Sequence, residues 1–356
     1  MKKVFCVLLA LLLLCGCGGR RSEKAKKQTK TVGVWISCYE LNSMLDSGEF
    51  KERFTLAAKR ISDFGVTDAF VHVRGFSDSL FESEYYSLNP RASQYGFDLL
   101  EFMISTLHKK GVRFHAWINP FRTADGGSEN PADIKVRAGV LGGVKEILRK
   151  YDVAGIHFDD YFYPADNDGI DAAQYAAYCA AAQNPLSKAE WRRENINALI
   201  LEVRDAVKSK GEDTVFSISP SAGITKNADL FFADVEYWCA AGAADMIIPQ
   251  LYFGFNYPDE NFRFDKLLKE WKALNRKEGV RLCAGLAAYK LGTENGPDAA
   301  EWQTGADILA RQTEICLEDG EISGVCYFSY TYLFADDELH NKAREEIGRK
   351  MSDYFP

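Results

Sequence analysis

The chain has 356 residues, 47% hydrophobic and 26% charged, with a formal net charge of -8. Residues 1–30 hold eight Lys or Arg and one Glu, so the body from Thr31 onward stands at -15, which excludes nucleic acid as the expected partner. About 325 residues remain in that body, enough for one large α/β domain with elaborated loops.

The chain opens with MKKVFCVLLALLLLCGC, in which Lys2 and Lys3 precede an apolar run of about ten residues, too short to span a bilayer and suited to a secretory signal. Leu14-Cys15-Gly16-Cys17 resembles the bacterial lipobox, with an unusual Cys15 at its middle, and makes Cys17 the expected lipidation site. Residues 1–16 therefore read as a lipoprotein signal peptide and residues 17–30 as a lipid-anchored tether without apolar periodicity. Residues 31–356 read as a single domain of an exported, membrane-anchored protein of the bacterial cell envelope. Its six cysteines form no C-x-x-C pair, and Cys283 and Cys326 sit inside apolar strand patterns, so buried free thiols are expected rather than a disulfide framework or a zinc-thiolate site.

Strand-like apolar runs then alternate with amphipathic helical stretches. The predicted strands are Thr31–Ser37, Val66–Arg74, Val112–Asn119, Val153–Asp159, Thr214–Pro220, Asp245–Tyr252, Val280–Leu286 and Gly324–Tyr330. Between them the pattern predicts helices over Phe50–Phe64, Asp98–Lys110, Ile134–Lys150, Lys188–Ser209, Phe262–Lys277 and Ala299–Glu318. Gly111, Gly211 and Gly279 follow helices as short-turn C-cap signals. Eight strand-helix pairs predict an α/β fold, a (β/α)8 TIM barrel, with elaborated loops after strands 2 and 4. A doubly wound sheet is the runner-up, but Trp35 to Tyr39 stands where its Gly-rich nucleotide loop would follow the first strand.

In such a barrel the strand C-termini carry the chemistry. The fourth strand leads into GIHFDDYFYP, which drops Asp159 and Asp160 at its end, beside Tyr161, Phe162 and Tyr163. Glycoside hydrolysis uses two carboxyl groups, one protonated and one acting as nucleophile or base. Strict alternation would put Asp159 at the barrel mouth and turn Asp160 toward the loop, a poor pair by itself, so a second acid is expected from elsewhere. Asp234 in LFFADVEYW is the favoured one, with Glu40, Glu236, Asp166 and Asp168 as alternatives. A helix-start role for Asp234 and a loop- or helix-capping role for the Asp pair are the structural readings beside these.

Arg74 and Asn119 are expected to clamp substrate hydroxyl or carboxylate groups, and Arg122 to stabilise its loop. Trp117, Tyr161, Tyr163, Ser219, Gln250, Tyr252, Tyr289 and Tyr330 complete the expected substrate-binding set, because aromatic rims offer faces on which sugar rings stack. His72, His115 and His157 fall at comparable depths in three strands and raise a metal reading, with core hydrogen bonding as the alternative. No metal and no cofactor are expected. A serine hydrolase is disfavoured because no G-x-S-x-G elbow is present.

TVGVWIS, HAWINPFR, YDVAGIHFDDYFYP, FSISP, FADVEYW, DMIIPQLYF, GLAAYKLG and GVCYFSY together resemble, in order, the glycosyl-hydrolase-like family ten domain over nearly all of Thr31 to Tyr330. The resemblance implies a secreted or lipid-anchored barrel that hydrolyses a cell-wall glycan strand (peptidoglycan) or an extracellular polysaccharide. Two departures stand out: His72 where the family usually has Gln, and Ala154 where it has Asp. Chitinase-like barrels would place their acid at Tyr161, so a chitinase-type substrate-assisted mechanism is disfavoured. The leading expectation is a glycoside hydrolase with Asp159 as nucleophile or base, Asp160 as its partner and Asp234 as acid. The alternatives are a non-catalytic glycan-binding lipoprotein and a metal-dependent hydrolase or deacetylase.

Overall fold

Eight parallel strands close on themselves in chain order, each hydrogen-bonded to the strand before and after it in sequence. They are β1 (Thr31–Ile36), β2 (Asp68–Arg74), β3 (Arg113–Ile118), β4 (Gly155–Phe158), β5 (Val215–Ile218), β6 (Met246–Ile247), β7 (Arg281–Leu286) and β8 (Gly324–Tyr327). The computed structural model describes residues 30–352 and Tyr354; the expected signal peptide, Cys17 and all of the expected tether but Lys30 lie outside the described residues. The (β/α)8 barrel expected from the sequence is the fold observed.

Strands are shorter than the apolar runs that announced them. The run Asp245–Tyr252 yields only Met246–Ile247 as regular strand, because Pro249 has no N–H to give the ladder. Pairing resumes beyond it as single bridges from Gln250 to Ser221 and to Gly285. The predicted helix 262–277 becomes a 3-10 turn, Glu260–Phe262, and a helix, Phe264–Ala273. The predicted helix 299–318 divides into Ala299–Thr304 and Ile308–Glu318, on either side of Gly305. The elaborated loop after β2 holds a small two-stranded ladder, Asp78–Ser79 with Ser87–Leu88. The one after β4 adds a helix, Ala172–Ala181, pinned at its start by the buried pair Arg192–Asp171, 2.6 Å apart.

Two apolar cores result. The larger lies between strands and helices, where Val, Ile and Leu of the strands meet the buried faces of Phe50–Asp63, Leu99–His108 and Ile134–Lys150. The smaller fills the barrel with Trp35, Phe70, Trp117, Met246, Ile248, Cys283 and Cys326. The six body cysteines are all free, and all but Cys179 are buried.

The barrel interior also holds hydrogen-bonded polar groups, although His115 Nδ1 has no hydrogen-bond partner among the described residues. At the N-terminal end of β2, Asp68 lies 2.7 Å from His115 Nε2 and accepts from Arg113 Nη2 at 2.7 Å. Burial opposes its charge, but the His115 hydrogen bond and the Arg113 guanidinium hold its carboxyl well below the usual range. One layer up, Trp35 Nε1 donates to His157 Nε2 at 3.0 Å, which leaves the His157 Nδ1 proton for Ser217 Oγ at 2.8 Å. Burial, with His115 nearby, keeps His157 neutral. The three barrel histidines are thus separately engaged, and among the described residues no three His, Cys, Asp or Glu side chains converge on a point that could hold a metal.

Gly155 is where β4 enters between its neighbours. A Cβ there would collide with the Val215 carbonyl oxygen and stand 2.7 Å from His115 Nδ1. Gly139, inside the helix Ile134–Lys150, faces open space. Gly155→Ala is therefore expected to cost about 1–3 kcal/mol of unfolding free energy, whereas Gly139→Ala should gain up to about 1 kcal/mol from helix propensity. Urea midpoints of the two variants check this, and a shift of the same sign in both would contradict the packing described.

Candidate active site

Every one of the eight strands sends a side chain to one cavity of about 300 Å3 at the C-terminal face of the barrel. Ser37 and Tyr39 follow β1, His72 belongs to β2, Trp117 to β3 and Arg122 to the loop after it. Asp159, Asp160 and Tyr161 follow β4, Ser219 follows β5, and Gln250 and Tyr252 follow β6. Tyr289 and Phe328 close the circle from beyond β7 and β8, and Trp35 of β1 forms part of the wall.

The two carboxylates both line this cavity, against the expectation that alternation would separate them. The β4 ladders to β3 and β5 both end at Phe158, so Asp159 and Asp160 stand beyond the last paired residue, where the pleat no longer dictates opposite faces.

Asp159 is buried, and its Oδ2 accepts from Trp117 Nε1 at 3.1 Å and from Asn119 Nδ2 at 3.3 Å. Its Oδ1 takes the Tyr161 N–H at 3.4 Å. Burial, then the Asp160 charge, pushes its carboxyl up to about 8, further than these hydrogen bonds and Arg122 draw it back. Asp160 is only half-buried. Burial raises its carboxyl too, opposed by the Gln250 side chain, its own backbone, Lys226 and Arg122. Of the adjacent pair, Asp159 is the one that keeps its proton at neutral pH.

The shell around Asp159 is held from several strands. Cys38 N–H donates to His72 Nδ1 at 3.0 Å, and the His72 ring stacks on Trp117 with centroids 3.3 Å apart. Burial, with the neighbouring His157 and Arg122, keeps His72 neutral, so its Nε2 carries the proton, and that buried atom has no protein partner. Phe328 stacks on Tyr252 at 5.8 Å and meets the edges of Trp35 and Tyr289. Phe328 lay within a predicted strand, and only its distance past the last paired residue of β8 brings it to the rim.

A second, larger cleft of about 690 Å3 adjoins the first and shares Arg122, Asp160 and Tyr161 with it. The Arg122 guanidinium lies 4.6 Å from the Tyr161 ring and 5.2 Å from Phe76, and its Nη2 donates to Tyr39 Oη at 3.2 Å. Expected to stabilise a loop, Arg122 in fact borders both cavities. The signal for it was its position four residues beyond β3, next to Asn119, whose Oδ1 accepts the Arg122 N–H at 3.2 Å.

Of the residues expected to bind substrate, Trp117, Tyr161, Ser219, Gln250, Tyr252 and Tyr289 line the smaller cavity and Tyr163 the larger cleft, though Tyr163 is only 2% exposed. Arg74, Asn119 and Tyr330 do not line either. Arg74 is buried against Glu129 at 3.1 Å and donates to the Asn119 carbonyl, because a guanidinium this deep needs an acid and an acceptor. Asn119 is spent on Asp159 and the Arg122 backbone, so it positions the site rather than clamping a ligand. Tyr330 opens the short helix Tyr330–Leu333 and packs on Phe334.

The second acid expected from another strand is not brought in. Asp234 caps the helix Val235–Ala241, accepting from Tyr237 N–H at 3.1 Å, and lines neither cavity. Glu40 closes a capping box with Ser37 and accepts from Ser329 Oγ at 2.7 Å, tying the β1 and β8 loops together. Glu236 is exposed on the same helix that Asp234 caps, and Asp168 pairs with Arg192 at 2.8 Å. Asp166 alone of these lines the larger cleft.

The chain is thus a closed parallel barrel with a carboxylate pair in an aromatic-walled cavity at its C-terminal face. The family model described as Glycosyl hydrolase-like 10 matches residues 122–303. Glycosyl hydrolase YngK of Bacillus subtilis (strain 168) is 28% identical over 330 residues, 77% of this chain and 63% of that protein. Glycosyl hydrolase DigH of Escherichia coli (strain K12) is 30% identical over 292 residues, 67% of this chain and 65% of that one. The chain belongs to the glycosyl hydrolase-like 10 family. It spans just under two thirds of the length of these curated relatives.

Among solved structures, the glycoside hydrolase domain of PgaB (BpsB) from Bordetella bronchiseptica superposes with a TM-score of 0.63 at 12% identity, covering 90% of this chain and 99% of that one. A GH18 chitinase from Cycas revoluta superposes with a TM-score of 0.57 at 11% identity, covering 90% of this chain and 100% of that one. At these identities the likeness is one of fold.

The raised carboxyl of Asp159 has a consequence for stability. The folded state binds this proton more tightly than the unfolded chain, so its contribution is complete below pH 3.8 and is lost as pH rises to about 8. Asp159→Asn cannot ionise. Its stability relative to the wild type is expected to climb steadily between those two pH values and then level off, as read by urea unfolding at a series of pH. A pH-independent difference would show that Asp159 is not held protonated.

Proposed function

We propose that the protein is a glycoside hydrolase in which Asp159 protonates the leaving glycosidic oxygen and Asp160 is the ionised carboxylate facing the sugar. The observation that carries this reading is the adjacent pair in one cavity with unequal surroundings: Asp159 buried and held by Trp117 and Asn119, Asp160 half-open beside Gln250. Two like carboxyls in unequal surroundings can divide the roles of acid and ionised carboxylate. This reverses the role expected for Asp159 from the sequence, where it stood as nucleophile or base.

Tyr252, Tyr289, Phe328, Trp35 and Tyr161 offer apolar ring faces around the pair, and Ser37, Ser219 and Gln250 offer hydrogen-bonding groups, a mixture suited to a sugar with its C–H face and hydroxyl edge. The family and its relatives named as glycosyl hydrolases support a carbohydrate substrate. Within that class our reading is a polymeric glycan of the cell envelope, the peptidoglycan glycan strand first, or an extracellular polysaccharide. The sequence of residues 1–30 supports a lipid anchor at Cys17, which would hold the barrel at a membrane surface near such a polymer.

Incubation with peptide-free peptidoglycan strands and a panel of polysaccharides, followed by assay of new reducing ends, tests this. The wild type is expected to release oligosaccharides with a rate that falls as pH passes about 8, where Asp159 loses its proton. Asp159→Asn should lower kcat by about 10²–10⁴-fold. The absence of product from every glycan would overturn the hydrolase reading and leave a glycan-binding protein.

A further inference from the structure

A row of aromatic rings leads out of the active-site cavity on one side. Tyr252, in the cavity wall, stacks on Phe328 with centroids 5.8 Å apart and meets the edge of Tyr289 at 5.7 Å. Tyr289 in turn meets Tyr332 at 6.2 Å. Tyr252, Phe328 and Tyr289 line the cavity, whereas Tyr332 lies outside it and is 46% exposed. A lone exposed tyrosine needs no explanation, but this one continues a row of rings that begins in the cavity of the carboxylates.

The segment that carries this ring is held firmly. Tyr332 belongs to the short helix Tyr330–Leu333 just past β8, and both Tyr330 and Leu333 are buried. Glu40 accepts from Ser329 Oγ at 2.7 Å and from the Thr331 N–H at 2.6 Å, and Arg344 Nη1 donates to the Leu333 carbonyl at 2.7 Å, so the segment is tied at both ends. Across the ring contact, the Tyr289 N–H donates to the Phe328 carbonyl at 3.1 Å. A ring on a fixed segment loses little conformational freedom when a ligand covers it. In a closed circle of eight strands, β8 lies directly across from β4, which ends in Asp159 and Asp160. A polymer with one bond at the carboxylates that leaves the cavity on this side passes over Tyr289 and then Tyr332.

We infer that Tyr332 is the stacking platform of a further sugar subsite outside the cavity, and that it sets a preference for longer glycan chains over short ones. The inference rests on the reading of this cavity as a glycan site. The face of a pyranose ring presents C–H groups that pack on an aromatic ring, while its hydroxyls stay at the edge in water, so a half-exposed ring on the rim suits a sugar unit and asks for no charge on it. Tyr332 touches no reacting atom. Its effect is on the hold of chain units remote from the cleaved bond.

Binding separates this from turnover. In the Asp159→Asn background, calorimetric titration follows affinity along two series of oligosaccharides of increasing length, from the disaccharide upward: fragments of peptide-free peptidoglycan strands and cello-oligosaccharides. In at least one series, affinity is expected to step up once the chain is long enough to reach Tyr332. Tyr332→Ala should remove that step, weakening the longer chains by about three- to tenfold relative to the shortest. Tyr332→Phe, which keeps the ring and loses the hydroxyl, should retain the step, with circular dichroism confirming that each variant is folded. The same length dependence with and without the Tyr332 ring, loss of the step in Tyr332→Phe as well as Tyr332→Ala, or no binding of either series would overturn the inference. A step that depends on Tyr332, found together with no new reducing ends from the protein with Asp159 intact, would remove the hydrolase reading alone.

Discussion

The site depends on one constraint, a carboxyl group kept out of water at the end of β4. A buried carboxylate with hydrogen bonds and no cation in contact pays for its charge in lost solvation, and Asp159 escapes that cost by holding its proton. Its surroundings come from distant parts of the chain. The Cys38 N–H orients His72, His72 backs Trp117, and Trp117 together with Asn119 fixes one Asp159 oxygen. Arg74, buried against Glu129, holds the Asn119 carbonyl from below. The hydrogen bonds among them satisfy polar groups that would otherwise be unpaired in the core.

The barrel treats its two ends differently. At the N-terminal end Asp68 is also buried, but hydrogen bonds with His115 and the Arg113 guanidinium outweigh burial, and Asp68 stays charged. At the C-terminal end Asp159 has neutral donors for its contacts and another acid beside it, so burial wins. The same side chain in the same barrel carries opposite charge states for reasons visible in the contacts. The middle layer, where Trp35, His157 and Ser217 bond to one another, insulates the two ends with neutral groups.

Fold and family leave the chemistry to the loops. The two superposed barrels share this framework at identities of 11–12%, and what distinguishes one such barrel from another is the set of side chains at the strand ends. Here that set is an adjacent Asp pair, a ring of aromatics from six strands and one guanidinium between two cavities. Tyr161 is nearly half exposed, with Arg122 over its ring.

Much of this was legible in the residues alone. Eight apolar runs separated by amphipathic stretches dictate a barrel, since period and order are local properties of the chain, and the polar residues that end those runs must then gather at one face. Six of the expected contact residues, from Trp117 to Tyr289, and the two acids were found this way. What the chain could not reveal by itself was depth and partnership. Whether Arg74 meets substrate or Glu129, whether Asp234 serves a site or its own helix, and whether Asp159 and Asp160 share a cavity all turn on where a ladder stops and what packs above it. Those are sums over contacts distant in sequence, and they decide which carboxyl keeps its proton and which arginine is buried against an acid.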